Sequence, residues 1–182
     1  MTIAGLNVKI DQTAYRAFFM LILFPIVVIT IYTVLFRSEE LSADTFIEAG
    51  LVGLAFVVFH QMGQLFHQLG HALAARATGY PMSGIRFEYI FSYSEYPPNE
   101  PTLPARVHIQ RSLGGVVGVT LLLIIVILLW IQDGSGASWL FNFLLFDAII
   151  LFIGSAVFSD GVFFIRDKGW IQTDPPSNLN DQ

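Results

Sequence analysis

Four apolar stretches, each near the length of a bilayer crossing, constrain this chain more than any other feature. A hydrocarbon core about 30 Å thick takes roughly 20 apolar residues as helix. "AFFMLILFPIVVITIYTVLF" at residues 17–36 meets that length, and further stretches follow at about 45–77, 112–131 and 139–165. Hydrophobic residues make up 54% and charged residues 13% of the 182, too apolar a balance for a water-soluble domain of this size. Backbone groups in lipid must satisfy one another, so such spans are read as helices. The expected fold class is an all-α polytopic membrane protein. It has four transmembrane helices, with a small β-hairpin or loop insertion between the second and third. Residues 1–166 form a single membrane domain in this reading, and 167–182 a flexible cytoplasmic tail. The first stretch starts too far in and runs too long for a cleaved signal peptide, so it is read as a retained span.

The segments between the spans carry their own signals. Residues 1–16 form a mixed, weakly amphipathic lead with Lys9 and Arg16. Pro25 is a candidate kink in the first span, and Ser42 or Asp44 a candidate cap for the second. Between spans two and three, Ile85, Phe87, Tyr89 and Phe91 alternate with Arg86 and Glu88, the period of a strand or hairpin arm. "YPPNEPTLP" then reads as an ordered loop or a linker. "SLGGVVG" opens the third span, and Gly114, Gly115 and Gly118 give it a small face for close helix contact. Basic residues set the orientation. Lys9 and Arg16 precede span one, Arg76, Arg86, Arg106 and Arg111 lie between spans two and three, and Arg166 and Lys168 follow span four. The opposite connections carry only Arg37. Both termini are therefore expected in the cytoplasm, with the chain in a bacterial inner membrane.

The absence of cysteine rules out disulfides and thiolate metal sites, so any metal is held by His, Asp or Glu. A net charge of −5 offers nothing for nucleic acid. The chemistry concentrates in "HQLGH", residues 67–71. Helix positions i and i+4 project together, so His67 and His71 can share one ion, with His60 and Gln64 on the same stripe. His71 lies five residues before Arg76, and Asp160 six before Arg166. Both therefore sit roughly 7–9 Å inside the cytoplasmic end of their spans. Two histidines, a carboxylate and an open position form a catalytic type of zinc shell. The plainer alternative is that these histidines hydrogen-bond neighbouring helices and that Asp160 pairs with an arginine. His60 reads as structural, and Asp147 receives no role.

The same residues carry a resemblance. "HQLGHALAARATGYPMSGIRF" resembles the signature helix of the site-2 protease family, the intramembrane zinc metalloproteases, whose motif is HExxH. "SDGVFF" at 159–164 resembles that family's Leu-Asp-Gly motif, and "RSLGGVVG" at 111–118 resembles its entry into the intervening helix. The resemblance covers about residues 55–166. It implies His67, His71 and Asp160 as ligands of one Zn ion, and position 68 as the catalytic carboxylate. The sequence departs at Gln68, and also at "FIGSAVF", which lacks the Asn and Pro that usually precede the aspartate.

A glutamate at position 68 would take a proton from zinc-bound water and return it to the leaving amine; Gln68 can hydrogen-bond water but cannot do this. General acid–base groups contribute about 10²–10⁴-fold, so hydrolysis is expected to be impaired or lost. Gln68 fits a natural pseudoprotease or a Glu→Gln change that traps an inactive enzyme, and the degenerate aspartate region favours the former. Intramembrane hydrolysis needs an extended substrate, and the segment holding Ile85, Phe87, Tyr89 and Phe91 is a candidate edge strand for β-augmentation. The alternative is a structural hairpin over the site. Expected partners are the lipid bilayer and either a membrane protein or a transmembrane peptide. Two other functions remain open: an accessory subunit of a membrane complex, and a pigment- or haem-binding subunit using His60, His67 or His71 as axial ligand.

Overall fold

The computed structural model describes residues 2–3, 5–37, 41–134 and 138–159. Three of its four helices begin at polar N-caps, and the third in chain order begins after a proline. Helix α1 is Gln12–Tyr32, five residues ahead of the first apolar stretch. The cause is Asp11, whose carboxylate accepts from Thr13 N at 2.8 Å and from Thr13 Oγ1 at 2.7 Å. The helix runs on through Pro25 and continues as π-helical turns over Thr33–Arg37. Helix α2 is Ala43–Ala77, and of the two candidate caps Ser42 performs the role, accepting from Thr45 N at 3.2 Å. At 35 residues α2 is about 52 Å long, well beyond a hydrocarbon core.

The end of α2 is set by Gly79. Its φ of +82° lets Tyr80 N reach Ala75 O at 3.2 Å while Gly79 N reaches Arg76 O at 3.1 Å. This paired closure needs a left-handed residue, for which glycine is best suited. Helix α3 is Ala105–Gln132, starting directly after Pro104 and seven residues before the apolar run. Helix α4 is Trp139–Ile153, followed by π-helical turns over Gly154–Ser159. The rest of the expected fourth span, Asp160 and the tail at 167–182 lie outside the described residues. Among the described residues, four segments are long and apolar enough to cross a membrane: Gln12–Phe36, Ala43–Ala77, Ala105–Gln132 and Trp139–Ala156.

The β structure is larger than a hairpin. Strands β1 (Thr2–Ile3), β2 (Leu6–Ile10), β3 (Gly84–Glu88) and β4 (Phe91–Glu95) form one sheet in that order. β3 and β4 are the expected antiparallel hairpin, turning through Tyr89 and Ile90. β2 lies parallel to β3, pairing Val8 with Ile85 and Ile10 with Phe87. The amphipathic lead is thus a strand, with Leu6 and Val8 buried and Asn7 and Lys9 exposed. Leu6, Val8, Ile85 and Phe87 meet Ala75 of α2 and Ala14 of α1 in a small core.

Helix α2 is the centre of the bundle and touches the other three helices. Its N-terminal half packs Ala49, Val52 and Phe56 on Ile29 of α1 and Phe143 of α4. Its C-terminal half crosses α3 so closely that a side chain at Gly70 would strike the Gly114 backbone, and one at Gly118 the Phe66 backbone. The glycine face expected from "SLGGVVG" is this contact. Large apolar side chains such as Phe19, Met20, Leu121 and Leu128 point outward.

Candidate functional site

One turn of α2 brings His67 and His71 together with their Nε2 atoms 3.0 Å apart. His71 Nδ1 lies 2.7 Å from the carbonyl of Arg111. A carbonyl only accepts, so Nδ1 carries the hydrogen and Nε2 of the neutral ring keeps its lone pair. The 3.0 Å contact then takes its proton from His67 Nε2. His67 Nδ1 faces Ser155 Oγ at 3.3 Å. Nitrogens bound to one tetrahedral zinc at about 2.0–2.1 Å stand about 3.3 Å apart. The pair therefore needs to open by only about 0.3 Å to hold an ion. A backbone carbonyl on the distal nitrogen is the usual way a zinc histidine is oriented. Gly115 makes the room, because a methyl there would overlap both rings. These two histidines fit an ion. The third expected donor, Asp160, lies outside the described residues, among which no group of three His, Cys, Asp or Glu could hold a metal.

Gln68 does not face the histidine pair's nitrogens as a free group. It is 2% exposed, and its amide is committed at both ends to β4. Nε2 donates to Ser92 O at 2.9 Å, and Oε1 accepts from Ser94 Oγ at 2.7 Å. One turn earlier Gln64 Oε1 accepts from Ser92 Oγ at 2.7 Å. One turn before that, His60 Nε2 donates to Ile90 O at 2.8 Å. His60 Nδ1 lies 2.8 Å from Asp147 Oδ1 of α4, with both side chains buried. Both ring nitrogens of His60 are thereby engaged, which leaves neither for a haem iron.

The four residues proposed as an edge strand fall in different places. Ile85 and Phe87 belong to β3, which is interior to the sheet, and both are buried in its core. Tyr89 is the first turn residue, with a φ of +51°. Only Phe91 belongs to the edge strand, β4, on the face shared with Glu88 and Arg86. The outward carbonyls of Ile90 and Ser92 on that edge already accept from His60 and Gln68.

Arg111 ties the loop before α3 to the site. It is buried, and it donates to both oxygens of Glu100, at 3.1 and 2.5 Å, and to Tyr80 O at 2.5 Å. Its guanidinium lies over the Tyr96 ring, 4.3 Å from the centroid. The Arg111 hydrogen bonds hold the Glu100 carboxyl below the usual range. The same Arg111 supplies the carbonyl that orients His71. Together these groups line a cavity of about 730 Å³ between α2, α3, α4 and β4.

Sequence reasoning left Asp147, Glu100, Ser92, Ser94 and Ser155 without roles. Asp147 had a signal: it is the only acid in Trp139–Ile153, the apolar segment that forms α4, and such residues seek a buried partner. Ser92 and Ser94 had none, because their role depends on where the hairpin lies. Comparison with protein-family models, with curated proteins and with solved structures finds no match to the chain.

Proposed function

We propose that the chain is an integral protein of a bacterial inner membrane, with both termini cytoplasmic, built on a site-2-protease-like plan. In this reading it keeps a zinc site and binds a transmembrane peptide or membrane-protein partner without cleaving it. The observation that carries the reading is the converging His67 and His71 nitrogens, 3.0 Å apart, with His71 oriented by the Arg111 carbonyl. His67, His71 and Asp160 would hold the ion, which when bound polarises water and lowers its pKa. Gln68 moves no proton: its amide has no titration near neutral pH, and its hydrogen bonds go to Ser92 and Ser94. Arg111 and Glu100 fix a loop that lines the cavity. The four apolar helices and the basic residues at one set of their ends support the membrane placement.

Zinc per chain tests the reading, measured by elemental analysis of detergent-purified protein beside His71→Ala and Asp160→Ala. About one zinc in the parent, lost in both variants, is the expected result. A parent that stays free of zinc after supplementation overturns it and turns the assignment to an accessory subunit.

A further inference from the structure

His60 and Asp147 lie outside the zinc reading, and they carry an inference of their own. His60 Nε2 faces the Ile90 carbonyl at 2.8 Å, so that nitrogen must carry a hydrogen. His60 Nδ1 faces Asp147 Oδ1, also at 2.8 Å. A neutral ring with one hydrogen cannot satisfy both contacts against a charged carboxylate. The geometry requires one further proton on the pair, either on Nδ1 beside a carboxylate or on Asp147 beside a neutral ring. Both side chains are buried, and Asp147 Oδ2 has no hydrogen-bond partner among the described residues. With its proton the pair is neutral overall; without it a net negative charge is left in an apolar interior.

We infer that His60 and Asp147 form a buried proton-binding site whose occupancy decides whether the tip of the β3/β4 hairpin is tied to α2. When the proton leaves, the one remaining ring hydrogen goes to the stronger acceptor, the carboxylate. The Ile90 carbonyl then loses its donor. The tie exists while the proton is bound and is lost as pH rises. Ile90 begins the stretch through Ser94 that walls the cavity, so freeing the tip frees one wall beside the histidine pair. The inference does not depend on a metal being held there.

Few other groups compete for the role. On α4 Asp147 is the only titratable residue, and on α3 none follows Arg111. Along α2 the nearest are Glu48, three turns away, and His67, two turns away. The same cavity also holds His71 and His108, while Arg111 and Glu100 are paired with each other. From α1 the hairpin tip meets Thr13, whose hydroxyl accepts from Tyr89 N at 3.2 Å. That hydroxyl donates to Asp11, and the two Thr13 hydrogen bonds hold the Asp11 carboxyl below its usual range, so it stays ionised over the pH range concerned. On the hairpin itself Tyr89 points outward.

The chain has no cysteine, so a single Phe91→Cys carries a spin label beside Ile90 without other changes. The label's mobility in full-length protein is followed from about pH 5 to about pH 10. The labelled parent is expected to be immobile at low pH, with its mobile fraction rising severalfold as pH increases. Adding Asp147→Asn should leave the label immobile throughout. The amide donates to Nδ1, so a neutral ring keeps its Nε2 hydrogen on Ile90 with no extra proton. Adding His60→Ala should make the label mobile at every pH. Imidazole ¹⁵N shifts of His60 report the proton directly, and Nε2 should be protonated wherever the label is immobile. A parent as flat with pH as the Asp147→Asn protein overturns the switch. An Asp147→Asn protein that follows the parent's curve assigns the response to another group and also overturns it. So does an immobile tip with Nε2 unprotonated, or a His60→Ala tip that stays immobile.

Discussion

Gly115→Ala is the sharpest test of the histidine pair, because the structure fixes what one methyl meets. An added Cβ would overlap His71 Nε2 and His67 Cε1, and both rings are pinned. His71 is held by its 2.7 Å bond to the Arg111 carbonyl, and His67 faces Ser155. Turning the His71 ring aside breaks a buried hydrogen bond, at about 0.5–1.5 kcal/mol. Overpacking adds about 1–3 kcal/mol, and the helix propensity of alanine offsets up to about 1 kcal/mol. The expected net loss is about 1–3 kcal/mol, with zinc affinity falling at least about tenfold. Gly50→Ala is the matched control. It also sits within a helix, but a methyl there meets nothing within 4 Å. It should leave zinc affinity unchanged and be neutral or stabilising by up to about 1 kcal/mol. Denaturation in mixed micelles and zinc competition against a chelator measure the two quantities. A Gly115→Ala protein indistinguishable from Gly50→Ala in both would refute the reasoning, since the ring positions would then not constrain the site.

Gln68→Glu is expected to yield no zinc-dependent peptide hydrolysis. The new side chain loses the donor to Ser92 O, which costs about 1–3 kcal/mol at so buried a position; hydrolysis that appears on adding zinc would show that position 68 reaches the site's water. Glu100→Gln removes a carboxylate whose proton affinity is lowered first by its Arg111 hydrogen bonds. A lowered folded-state pKa contributes stability above the unfolded value near 4.3 and loses it as pH falls through the folded one. The variant should therefore be less stable than the parent at neutral pH and converge with it in acid, as read by denaturation at a series of pH values. Arg111→Lys keeps the charge but loses the two-pronged contact with Glu100. Its expected mark is weaker zinc binding, through the displaced carbonyl on His71, and equal zinc affinity would argue that the backbone there holds itself.

The helices were legible because lipid-length apolar runs have few other solutions. Their starts were less so. Asp11 and Pro104 begin α1 and α3 several residues before hydropathy rises, since capping and apolar content are separate signals. The sheet was only half legible. Ile85 and Phe87 share a buried face as period two predicts, but the pattern carries past Tyr89 and Phe91 although the chain has already turned. The turn has no glycine or asparagine to announce it, and Tyr89 adopts the positive φ itself. Leu6 and Val8 do alternate, yet a five-residue strand whose parallel partners lie 77 residues onward leaves no local trace of the pairing. At the site, the i, i+4 rule placed His67 and His71 together. It could not place Gln68, because its partners belong to a strand whose position only the tertiary fold decides.

The polar stripe on α2 has a geometric reason that unites the site. Four residues along a helix advance about 6.0 Å, and two along a strand about 6.8 Å. His60, Gln64 and Gln68 step by four, and their partners Ile90, Ser92 and Ser94 step by two. The near-equal spacings let one helix stripe bond one strand edge at three successive points. A sheet edge needs such partners, because an outward carbonyl that is buried without one costs free energy. Each side chain suits its place in this ladder. Gln68 donates to a carbonyl and accepts from a hydroxyl at once, which an ionised glutamate cannot do. The residue that departs from a protease motif is therefore the one this strand requires. A chain selected to hold β4 against α2 would favour glutamine at position 68 whether or not an ion sits between His67 and His71.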